Sequence, residues 1–212
     1  RSARKLNEKL LSQLSNSRKK PLLVFASGSL MYGVSDKPHA EKLAMNPISF
    51  AKDYAEGETP FAKAIQSQTY PVLMCRLPWM FGNGSWFKWT YFSPGQKSLP
   101  LFGEGENQME LLNVCDAAIA MISLATHRVQ GVANIPGSQR MTQKQWLALV
   151  SNISDTPITT AETHYNGKVD KATREAFLST ILLETKHKDF LAHLDKDIEP
   201  DLRDYIQGFS NA

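Results

Sequence analysis

Hydrophobic positions along the chain fall into two spacings. Leu6, Leu10, Leu11 and Leu14 recur at helical intervals, which predicts an amphipathic helix over 4–17. Pro21 breaks that pattern. Leu22 to Ala26 is a short continuous apolar run, as in a strand buried on both faces, and Ser27-Gly28-Ser29 ends it. Polar residues from Asp36 to Pro47 read as a loop. Residues 48–68 read as a helix that Pro60 should kink or interrupt. Val72 to Arg76 is a second buried strand, and 77–100 reads as an irregular loop with one helical turn at most. Further strands are expected at 110–114, 131–135 and 157–161. Helices are expected at 116–125, 142–152 with Thr142 as N-cap, 170–176 and 198–209. Strands alternating with helices imply an α/β fold with a parallel sheet.

Composition limits function more than it assigns it. The 212 residues suit one α/β domain, or a domain with a small lobe. Hydrophobic residues make up 42% and charged residues 21%, and the net charge is +3. The clearest basic cluster, Arg18-Lys19-Lys20, suits a solvated helix end, so nothing favours a nucleic-acid partner. No apolar stretch reaches membrane-spanning length. Cys75 and Cys115 both read as small core hydrophobes, and no Cys or His spacing suggests a metal site. His127, His164, His187 and His193 are scattered, and the Glu184–His187 spacing matches a metal pair only superficially. A reducing cytoplasmic location is the default expectation.

Several segments, in order, carry a resemblance. Val24-Phe25-Ala26-Ser27-Gly28-Ser29 runs into Leu30-Met31-Tyr32-Gly33. Asn46-Pro47-Ile48-Ser49-Phe50 and Arg76-Leu77-Pro78-Trp79-Met80-Phe81-Gly82 follow. Then come Leu99-Pro100-Leu101-Phe102-Gly103-Glu104-Gly105, Leu112-Asn113-Val114-Cys115-Asp116 and Gly131-Val132-Ala133-Asn134-Ile135. This series resembles the later part of the extended short-chain dehydrogenases/reductases, the family of nucleotide-sugar epimerases and dehydratases. The resemblance covers most of residues 20–150.

It implies a Rossmann-like parallel sheet, later strands only, with a small C-terminal α/β substrate lobe. Residues 1–98 would form the later half of the Rossmann-like domain. Residues 99–212 would be mostly substrate-lobe elements interleaved with the last sheet strand. NAD or NADP is implied as cofactor, but the glycine-rich turn that cradles its pyrophosphate is absent from this sequence. Three βαβ steps, about 90 residues, would precede Arg1. A preceding segment of a longer protein, or a partner chain, would then complete the sheet. A homodimer is compatible with the resemblance.

The family works with a Ser or Thr, a Tyr, and a Lys four residues after the Tyr. Here those positions read Gly28, Phe50 and Tyr54, so no catalytic group is intact. Tyr54, Ser27 and Ser29 are the substitute candidates. Against Tyr54, its i+4 neighbour is Glu58, and a carboxylate there raises a phenol's pKa. Lys52 lies two residues from Tyr54 and points elsewhere on a helix. The resemblance places Gly28, Phe50, Tyr54, Pro78, Trp79, Met80, Met109 and Asn113 at a cofactor or substrate pocket. Met109 stands where an Arg often pairs the diphosphate. Trp86, Phe87, Trp89, Tyr91 and Phe92 crowd a neighbouring loop, as a ligand-binding cluster or a packed lid. Three readings stay open: an NAD(P)-dependent epimerase/dehydratase-like enzyme with an altered site, a silent binder of a small ligand such as a nucleotide sugar, and an interaction module.

Overall fold

The computed structural model describes residues 2–35, 37–93 and 95–210, so Asp36 and Pro94 of the two expected loops lie outside the described residues. The elements run α1 (Ser2–Ser15), β1 (Leu23–Gly28), α2 (Ala51–Ser67), β2 (Val72–Leu77), β3 (Trp79–Phe81), α3 (Trp86–Tyr91), β4 (Leu99–Leu101) and β5 (Gln108–Asn113). Then follow α4 (Val114–Thr126), β6 (Gly131–Asn134), β7 (Gln139–Thr142), α5 (Gln143–Ser154), β8 (Ile158–Thr160), α6 (Ala161–His164), α7 (Lys171–Phe177) and α8 (Glu199–Ser210).

The expected parallel α/β arrangement is present. Strands β1, β2 and β6 form a parallel sheet in the order β1-β2-β6. All six residues of β2 are buried, as a central strand covered on both faces requires. Its side chains divide by the strand's two-residue period. Val72 and Met74 pack with Phe61 and Ala64 of α2, while Leu73 and Cys75 pack with Ala117, Ala120 and Leu124 of α4. Among the described residues β1 pairs with β2 alone, so its other edge carries no strand.

Two smaller sheets complete the molecule. β3 runs parallel to β5, which pairs antiparallel with β7. β4 runs parallel to β8. Phe81, Phe87, Tyr91, Phe102 and Trp146 form the core between them. Thr142 caps α5 as expected, in a reciprocal capping box with Gln145.

The structure departs from the sequence expectation in five places. The 77–100 stretch is not one irregular loop: it holds β3, α3 and the first residues of β4. Ser85 caps α3 through its hydroxyl, which accepts from the Phe87 amide at 3.3 Å. β7 was not expected, because a half-exposed Gln-Arg-Met-Thr run has no apolar alternation. α2 begins at Ala51, not residue 48, because Ser49 takes a left-handed φ of 50° that no helix accommodates. It then continues through Pro60 without interruption. Cys115 is exposed rather than core, since α4 starts two residues earlier than expected and carries it in its first turn.

Candidate functional site

Four elements converge at the carboxyl ends of β1 and β2, where open α/β sheets bind ligands. β1 delivers Ser27 and Gly28, followed by a short 3-10 turn over Ser29–Met31. Gly33 then turns with φ 81°, and a Cβ there would lie 2.6 Å from the Asn46 carbonyl oxygen, so only glycine fits. The start of α2 delivers Phe50 and Tyr54. The end of β2 delivers Pro78, and β3 adds Trp79 and Met80. These residues, with Trp86, Trp89, Tyr165, Lys168, Asp170 and Phe177 among others, line a cavity of about 400 Å³.

The left-handed Ser49 is held from α7. Its amide donates to Glu175 Oε2 at 2.9 Å and its hydroxyl to the Ala172 carbonyl at 2.5 Å. Lys52 Nζ pairs with Glu175 Oε1 at 3.1 Å, which takes the lysine away from Tyr54. Phe50 and Tyr54 are more than one-third exposed, and both face the cavity.

Beneath Tyr54 lies a buried charge cluster. Arg76 Nη1 meets Glu58 Oε2 at 2.6 Å, with both side chains 2% exposed. Ser27 Oγ joins both residues, donating to Glu58 Oε1 and accepting from Arg76. The Arg76 guanidinium also lies 5.7 Å from the centre of the Tyr32 ring. Tyr32 in turn donates to Asn134 Oδ1 at 2.7 Å and stacks on His39. Ser27 is thus engaged structurally, and Ser29 is buried in the 3-10 turn.

The Tyr54 phenol has a raised pKa. Burial is the main cause, the Glu58 carboxylate adds to it, and Arg76 opposes it. A Cβ built on Gly28 would lie 3.3 Å from Tyr54 Oη, so the phenol occupies the room that a serine side chain would need. This geometry suits a hydrogen-bond donor to a ligand, not a base.

Sequence reasoning brought together Gly28, Phe50, Tyr54, Pro78, Trp79 and Met80, and the cavity contains all six. Met109 and Asn113 are elsewhere. Met109 is a core residue at 1% exposure, and the Asn113 side chain caps α4 by accepting from the Cys115 amide at 2.8 Å. The sequence reading missed the Glu58–Arg76 pair and the wall made by 165–177. An arginine inside an otherwise apolar strand was the available signal, because a buried cation needs a partner. His164 is half-buried between Ser98 Oγ at 3.0 Å and Gln96 Nε2 at 3.1 Å.

Neither a protein-family model nor a curated protein matches the chain. Solved structures do. A UDP-N-acetylglucosamine 4-epimerase from Methanobrevibacter ruminantium M1, in complex with UDP-N-acetylmuramic acid, matches with a TM-score of 0.74 at 20% identity. The match covers 98% of this chain and 68% of that one. The chain has the extended short-chain dehydrogenase/reductase fold. DesIV, a dTDP-glucose 4,6-dehydratase from Streptomyces venezuelae with NAD bound, matches at TM-score 0.73 and 14% identity, covering 97% of this chain and 64% of that one. TunA, an NAD-dependent NDP-hexosamine 5,6-dehydratase, matches at TM-score 0.74 and 16% identity, covering 99% and 69%. The chain therefore spans about two thirds of the extended-fold proteins it matches.

The residues present fit an NAD-type cofactor at one end only. Gly28, Tyr54, Leu77 and Pro78 also border a second hollow, which could meet a flat nicotinamide ring. Where the resemblance expects the lysine that would hold the ribose stands Tyr54, which offers no cation there. Among the described residues no group of three His, Cys, Asp or Glu side chains could hold a metal ion, and no helix is long and apolar enough to cross a membrane.

Proposed function

We propose that this chain is the ligand-holding later part of an NAD(P)-linked protein of the epimerase/dehydratase type, and that its site binds a small molecule without the family's proton transfer. One observation carries the reading. The phenol of Tyr54, which the resemblance aligns with the lysine, stands over Gly28 and lines the same cavity as Phe50, which the resemblance aligns with the proton-carrying tyrosine. Phe50 has no proton to exchange. Tyr54, with its raised pKa, stays protonated at neutral pH and donates a hydrogen bond to whatever the cavity holds.

The printed ligands of the matched structures, UDP-N-acetylmuramic acid in one and NAD in another, support a small organic molecule at the same place. A cofactor would need groups that this chain does not supply, from a preceding segment or a partner chain. Residues 1–98 would then serve as the later half of the cofactor domain and most of 99–212 as the ligand lobe.

The test is an assay of the full chain, supplied with NAD or NADP, against a panel of nucleotide sugars. The expected result is saturable ligand binding with no change in nicotinamide absorbance. Hydride transfer to or from the cofactor would overturn the reading, and Tyr54 would then be the acid to substitute first.

A further inference from the structure

We infer that the cavity selects an uncharged planar ring compound over a nucleoside diphosphate sugar. The inference rests on the ligand-binding reading above and specifies what the site accepts.

Seven of the lining side chains are aromatic, and they form a built wall. Trp79 stacks on Phe177 with ring centres 4.9 Å apart. Trp86 meets Trp79 edge-on at 4.7 Å and Phe177 at 5.4 Å. Phe102 closes the back of Phe177 in a parallel stack at 4.5 Å. Rings locked in this way present fixed faces, to which a flat ligand can add in offset or edge-to-face geometry.

The uncovered rings are at the same place. Phe50 is 41% exposed, Tyr54 39% and Trp89 71%, and all three border the cavity. Large apolar surface left in water around one concavity marks a site that gains by being covered.

Charge points the same way. Among the described lining residues the one basic side chain is Lys168 and the one acidic side chain is Asp170, two residues later. Their formal charges cancel. Asp170 is also occupied as the cap of α7, accepting from the Thr173 amide at 2.9 Å and hydroxyl at 2.5 Å. A diphosphate brought among aromatic walls needs paired cations or it loses its hydration uncompensated. Two arginines close to these residues are engaged elsewhere: Arg76 with Glu58, and Arg174, next to Thr173, with Glu162. Met109, at the position where the resemblance expects a diphosphate-binding arginine, lies in the core.

Calorimetry on the full chain with naphthol and with UDP-glucose tests this. Naphthol should bind saturably, and UDP-glucose at least about tenfold more weakly. Phe50→Ala and Trp89→Ala, both exposed and so expected to fold, should each weaken naphthol by about tenfold. UDP-glucose binding as tightly as naphthol, without turnover, would overturn the ring preference and leave the silent-binder reading standing. Naphthol affinity unchanged in both variants, or no saturable naphthol binding at all, would also overturn it. Turnover of the cofactor with UDP-glucose would sink the silent-binder reading and the ring preference together.

Discussion

Tyr54 and Gly28 share one space: the phenol oxygen stands 3.3 Å from where a Cβ on Gly28 would be. Gly28 itself is extended, with φ −109° and ψ 157°, a conformation open to any residue. Its lack of a side chain therefore serves Tyr54, not the backbone. Gly28→Ser should destabilise the protein by about 1 kcal/mol through crowding. In the Tyr54→Ala background the same change should cost close to nothing. A double-mutant cycle by urea denaturation checks this, and additive effects would separate the two residues.

The Glu58–Arg76 pair is the costliest place to cut. Glu58→Gln or Arg76→Met leaves one charge buried without its partner, and each should cost about 3–5 kcal/mol. The double variant Glu58→Leu/Arg76→Met should cost less than either single one, because no orphan charge remains. Chemical denaturation of the three variants gives the comparison.

Glu110 predicts an unusual pH dependence. Burial pushes its carboxyl up to about 7, although Arg140 stands 2.6 Å away and the Leu183 amide donates to it at 2.8 Å. Because the folded value lies above the ordinary 4.5, the folded state binds the proton more tightly. This contribution is complete at and below the ordinary value and is lost as pH rises from there through about 7. In all it amounts to about 3 kcal/mol. Glu110→Gln should flatten the stability profile over that range, as followed by melting temperature against pH.

The two thiols should differ sharply. Cys75 is buried on β2, and burial pushes its pKa up to about 12, whereas Cys115 is exposed on the first turn of α4. A thiol reagent should label Cys115 in the native state and reach Cys75 only on unfolding. Fast labelling lost in Cys115→Ser and kept in Cys75→Ser would agree.

Much of the fold was legible because its central sheet follows simple rules. The continuous apolar runs at Leu22–Ala26 and Val72–Arg76 predict doubly covered strands, and Thr142 with Gln145 announces the start of α5. What escaped was set by tertiary contact. β7 exists because β5 offers it a ladder, and its four residues carry no pattern of their own. α3 hides in an aromatic run whose helical turn depends on the Ser85 cap. At the site, the order of motifs located Phe50, Tyr54 and Trp79. The far wall at 165–177 was invisible, because only folding brings Phe177 against Trp79. Met109 and Asn113 lie outside the cavity for a related reason: spacing assigns a strand position but not the side toward which it points.

The clamp between Ser49, Lys52 and the 172–175 turn of α7 has a mechanical consequence. It ties the helix bearing Phe50 and Tyr54 directly to the helix that ends in Phe177, so two sides of the cavity are one braced frame. A guest then meets a mouth whose two sides are tied to each other, which favours selection by fit over closure around the guest.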